Sequence, residues 1–276
     1  MQDVKEKDGR QRTVTAFPAA SRLLAALWLA VLLFTLGMLA AGWPRYWIYI
    51  AAETTPQGWL ESVLLVLAAA MAGLNAFAAA AEASGPMRGR GGDGGPDRGA
   101  AGAGAGGPER RAAGAGRTRG AGALSGLLRR RQGWAWTIVA AAFAWLALDE
   151  RFAVHERLRD RYLKQTGVKL LPWMEAGDWI IPIYAVCGLA AVWGLWQLLG
   201  ASRAARAFMA AGLLLAFCAV SLDTLDIRSM SRASERLFQT IEECLETGAM
   251  TAFVSSFLSV LTGRLAAWYN IASIRR

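Results

Sequence analysis

Apolar residues in this chain come in long unbroken runs, not in alternation with polar ones. The cleanest, residues 134–148 (WAWTIVAAAFAWLAL), holds fifteen positions without a charge. Five further runs lie at 23–43, 59–81, 179–199, 207–226 and 241–261. A helix of about 20 residues crosses a hydrocarbon core of about 30 Å. Each run reaches that length, the 134–148 run by continuing to about residue 153. A soluble two-layer domain would alternate its polar and apolar faces, and these runs do not. The pattern predicts an all-α fold, a polytopic membrane bundle of six transmembrane helices.

The stretches between runs complete the organisation. Residues 1–22 read as a tail, 23–81 as the first two helices, 134–263 as helices three to six and 264–276 as a second tail. Five basic residues precede the first run, as in a signal peptide. Its apolar core is longer than a usual signal core and no clear cleavage site follows, so it reads as a retained anchor. Residues 82–133 are rich in Gly, Ala and Arg. They offer too little apolar area to offset the entropy of ordering, which predicts a disordered loop. The loop lacks the GxxxxGK[ST] pattern of a phosphate loop. Its ten arginines suit contact with anionic lipid.

Charge then fixes the sidedness. The net charge of +9 raises the question of nucleic acid, but in a membrane chain it reflects cytoplasmic loops enriched in Lys and Arg. With six spans both termini share a side. That side carries 20 of the 30 Lys and Arg residues, so both termini are expected in the cytoplasm of a bacterial inner (plasma) membrane. Twelve tryptophans read mostly as interfacial girdles, with Trp43, Trp47, Trp59, Trp173 and Trp179 outside and Trp134, Trp136 and Trp196 inside. Cys187, Cys218 and Cys244 form no CxxC pair and read as small buried hydrophobes.

The acids do not follow from orientation, because Asp and Glu contribute little to it. Fourteen of the 21 fall on the outer side. Glu61 opens the second run, Asp149 and Glu150 close the third, Asp178 precedes the fourth, Asp223 and Asp226 close the fifth, and Glu242, Glu243 and Glu246 open the sixth. Acids at helix N-termini are favoured by the macrodipole, and Thr240 with Glu243 matches a capping box. Asp149, Glu150, Asp223 and Asp226 sit at C-terminal ends, where the dipole disfavours an anion, and need a compensating Arg, metal or proton. On a continuous helix Asp149 and Glu156 lie about 20° apart, with His155 at the rim of their face and Glu150 turned away.

These residues carry the candidate chemistry. Carboxylates with one imidazole on bundled helices are a ligand set for Mn, Fe or Zn. The expected metal ligands are Asp149, Glu156, Asp223, Glu242 and Glu246. His155 and Glu156 are the expected acid/base pair, and Arg228 and Arg232 are expected to hold a substrate such as a lipid headgroup phosphate. HExxH and paired ExxH motifs are absent, since His155 is the sole histidine. The residues admit three readings: a metal-dependent enzyme acting on a lipid or membrane-proximal substrate, a proton- or cation-coupled transporter, or a scaffold whose acids pair with Arg. The transporter reading lacks acids at mid-depth.

The stretches LALDERFAVHERL, WIIPIYA and IEECLETGAM resemble a group of uncharacterised bacterial multi-pass membrane proteins. These share a D-E-x4-H-E element ending one span and an E-E-x-x-E element opening a later one. Asp149, Glu150, His155, Glu156, Glu242, Glu243 and Glu246 carry the resemblance, which covers about residues 134–260. It implies topology and the position of a site, and no reaction. Alkaline-ceramidase-like membrane hydrolases look different, because they use several histidines.

Overall fold

The computed structural model describes residues 18–51, 55–84, 109–169, 177, 180–223 and 231–273. Among these the chain is all-helical, with seven α-helices and no strand. They are α1 (Pro18–Gly42), α2 (Pro56–Ser84), α3 (Glu109–Phe152), α4 (Val154–Leu158), α5 (Ile180–Leu198), α6 (Arg203–Asp223) and α7 (Arg232–Ser273). A 3₁₀ turn, Tyr46–Tyr49, follows α1, and a π turn and a 3₁₀ turn follow α4.

Local chemistry sets the helix starts. Thr55 caps α2, its Oγ1 accepting from Gly58 N–H at 3.4 Å, and Pro56 occupies the first helical position, where a missing N–H costs nothing. Ser202 caps α6 through Ala205 N–H, and Ser231 caps α7 through Ser234 N–H. The true start of α7 corrects the capping-box reading. Thr240 lies well inside the helix and donates to Arg236 O at 2.7 Å.

α2 and α7 run parallel through the centre. Thr247 on α7 meets Glu61 on α2, and further along Phe257 O accepts from Asn75 Nδ2 at 3.0 Å. α3 runs antiparallel to α2, with Gly133 close against Ala76 and Ala80 and Glu150 beside Glu61. α6 runs antiparallel to α7, with Ser256 donating to Ala205 O at 2.8 Å. Their approach requires Gly212, where a Cβ would lie 2.7 Å from Phe253 Cε1. α1 joins α7 through Trp28 Nε1, which donates to Ser255 Oγ at 3.1 Å. The ends of α1, α3 and α6 and the starts of α2 and α7 therefore meet at one end of the bundle. At the other end Arg264 pairs with Glu82 at 3.8 Å.

The interior is apolar with a polar seam. Trp136, Phe143 and Phe257 meet edge to face, and Ala68 and Ala72 are fully buried. Gln57, Glu61, Asn75, Thr251, Ser255 and Ser256 are fully buried as well. Outside, Leu29, Leu32, Leu33 and Leu36 of α1 are at least half exposed. An apolar exterior over a polar seam suits lipid better than water. Among the described residues four helices are long and apolar enough to cross a membrane: Ala20–Gly42, Pro56–Ser84, Arg203–Leu222 and Arg232–Tyr269. The run at 134–148 falls within α3, and α5 covers 180–198 of the run at 179–199 and offers the shorter apolar helix Val186–Leu198.

Several expectations shift. Trp136 is fully buried against Phe257 and does not belong to a girdle, whereas Trp134 is exposed. The cysteines are free, but Cys187 is exposed and none is fully buried. α3 begins at Glu109, so residues 109–133 of the segment expected to lack order are helical here. Ala and Arg, common in that stretch, are good helix formers. Residues 85–108 lie outside the described residues. α7 has 42 residues, roughly 60 Å at 1.5 Å per residue, and continues into the expected C-terminal tail.

Candidate cation site

Glu61, Glu150 and Glu246 come together where α2, α3 and α7 meet. One carboxylate oxygen from each lies within 4.8 Å of the others. Glu61 is fully buried, and Glu150 and Glu246 are half-buried. Thr247 Oγ1 donates to Glu61 Oε1 at 2.6 Å and also reaches Glu243 O at 3.0 Å. Gln57 Nε2 donates in turn to Thr247 Oγ1, and the Gln57 amide also meets Thr35 Oγ1 of α1 at 3.4 Å. Glu61 Oε2 is buried and has no hydrogen-bond partner. An orphaned buried carboxylate oxygen costs at least about 1–3 kcal/mol. Carboxylates this close also repel one another, and a cation or proton between them removes the repulsion.

The Arg151 guanidinium lies over the Trp59 ring, 4.1 Å from its centroid, and Arg236 lies over Trp47 at the same distance. Stacked guanidinium groups of this kind are held by the ring quadrupole.

The continuous-helix geometry fails at Ala153, whose φ of 48° breaks the chain between α3 and α4. The break creates a helix start that Asp149 caps. Asp149 Oδ1 accepts from His155 N–H at 2.8 Å, and Asp149 Oδ2 lies 3.0 Å from His155 Nδ1. Asp149 thus stands at the end of one helix and the beginning of the next, which supplies the compensation that a C-terminal position alone withholds. Both its oxygens face His155. Glu150, which the wheel turns away, lies in the cluster instead.

Of the expected ligands the structure brings Glu246 into the group of three. Glu242 is half-buried one turn earlier on α7 and is not among them. Arg232 is exposed at the start of α7. The side chains of Glu156 and Asp223, and the residues Arg228, Asp226 and Asp178, lie outside the described residues. The other two members of the group, Glu61 and Glu150, are not among the ligands expected from the sequence. The sequence reads Glu61 as an N-terminal acid, whereas α2 starts at Pro56 and places it more than a turn inside, facing α7.

Residues 120–261, just over half of the chain, match a family model described as a domain of unknown function (DUF8692). The matched region contains Glu150 and Glu246, and Glu61 lies before it. Neither a curated protein nor a solved structure matches the chain.

Proposed function

From the premise that the chain belongs to this family of unknown function, we propose that it is a polytopic inner-membrane protein that binds a divalent cation at Glu61, Glu150 and Glu246. The observation that carries the reading is Glu61 Oε2, buried, unpartnered and part of a side chain grouped with two further carboxylates. Three protein ligands leave coordination positions open to water or to a substrate oxygen, which is the condition for metal-assisted chemistry. A lipid headgroup or other membrane-proximal molecule is the substrate class that reaches this depth.

The test is thermal unfolding of the detergent-solubilised protein with and without divalent ion. An ion that binds only the folded state stabilises it by about 2.7 kcal/mol at one hundred times Kd. The midpoint rises in the wild type and not in Glu61→Gln. A wild-type midpoint indifferent to every divalent ion contradicts the reading.

In this proposal the runs at 134–148 and 179–199 also cross the bilayer, giving six spans, and both termini are cytoplasmic. The acidic end of the bundle then faces outwards. Reporter fusions within residues 85–108 and after Lys164 check this, with the first reporting inside and the second outside. The reverse result inverts the assignment.

A further inference from the structure

His155 is the only imidazole in the chain, and its Nδ1 faces Asp149 Oδ2 at 3.0 Å. Among the described residues no His or Cys joins Glu61, Glu150 and Glu246. The donors at the site are therefore carboxylate oxygens. Oxygen-only sets suit hard cations such as magnesium, calcium and manganese, whereas zinc and copper favour sites that include imidazole or thiolate. Granted the cation reading above, on which this step rests, we infer that the site selects a hard, oxygen-seeking divalent ion. We infer also that Gln57 and Thr247 are positioning residues that hold Glu61 for it.

The direction of the hydrogen bonds supports the second part. Gln57 Nε2 is a donor only, so Thr247 Oγ1 accepts from it. The Thr247 hydroxyl has a single proton, which points to Glu61 Oε1 at 2.6 Å and is shared with Glu243 O. Glu61 Oε1 is thereby fixed as an acceptor, and its partner oxygen Oε2, with no protein donor, is the atom left for the ion. Rotation of the carboxylate would break the bond to Thr247. The chain of bonds starts at Thr35 on α1 and crosses α2 to α7, so three helices fix one ligand atom. Orienting contacts of this kind typically change metal affinity by about 10–100-fold.

The experiment uses the full chain in detergent, stripped with a chelator, titrated with manganese and then challenged with calcium or magnesium, with pulsed electron paramagnetic resonance on the manganese form. The expected result is bound manganese that calcium or magnesium displaces. Its echo shows no coordinated nitrogen, in wild type and in His155→Gln alike. Thr247→Val and Gln57→Leu weaken binding by about 10–100-fold without changing that spectrum. A nitrogen signal that His155→Gln removes, or bound manganese that neither calcium nor magnesium displaces, overturns the hard-cation assignment while the site stands. Unchanged affinity in both Thr247→Val and Gln57→Leu overturns the positioning role. A wild type that binds no divalent ion overturns the site itself.

Discussion

Asp149 and Glu61 are both buried acids near helix ends, and their surroundings give them different work. Asp149 has both oxygens on His155, one on its backbone N–H and one beside Nδ1. Glu61 has one oxygen held by Thr247 and the other unpartnered. The first acid caps a helix start, and the second keeps one buried oxygen without a hydrogen-bond partner. Asp149→Ala, which leaves the start of α4 uncapped, is expected to cost about 0.5–2 kcal/mol in unfolding experiments, with the divalent-ion content unchanged. Loss of the ion with little loss of stability would make Asp149 a ligand instead. The sequence could not separate these acids by position alone. A wheel drawn from Asp149 to Glu156 assumes an unbroken helix, and the left-handed turn at Ala153 carries no glycine to announce it. A signal for Glu61 does exist. Gln57, Glu61, Ala68, Ala72, Asn75, Ala79 and Glu82 recur at helical spacing, a stripe of polar and small residues along one face of α2.

At the scale of elements, charge-free length was the legible property. The runs that became α1, α2, α6 and α7 qualify as membrane spans by length and apolarity, because burial in lipid demands both and both are written in the residue types. The ends were less legible. α7 begins at Arg232 and not near Ile241, since Ser231 supplies its cap ahead of a charged, non-apolar first turn. A hydropathy run marks only the part of a helix that meets lipid. The same distinction explains Glu242, Glu243 and Glu246. They looked like residues at a helix N-terminus but lie ten or more positions inside α7, beyond the reach of the dipole's first turn. Their placement therefore reflects what α7 faces, and Glu246 faces Glu61 and Glu150.

For the whole molecule, the apolar exterior of α1 and the buried polar seam between α2 and α7 fit one account. Ser and Thr along α7 return their protons to carbonyls one turn back, as Thr251 does to Thr247 O and Ser255 to Thr251 O. Small residues and self-satisfied hydroxyls let these helices meet closely in a solvent that offers no hydrogen bonds. Two atoms on this seam, Glu61 Oε2 and Asn75 Oδ1, are left without such a partner, and of the two only Glu61 is an acid grouped with further carboxylates. Its neighbours Glu150 and Glu246 come from α3 and α7, so the site exists only when three separate helices are assembled. The most direct measurement is elemental analysis of the purified full chain after reloading with divalent ions, for wild type and for Glu61→Gln. The account predicts a bound divalent ion in stoichiometric amount in the wild type and its loss in Glu61→Gln. A wild type without stoichiometric ion, or a Glu61→Gln protein that retains it in full, would contradict the account.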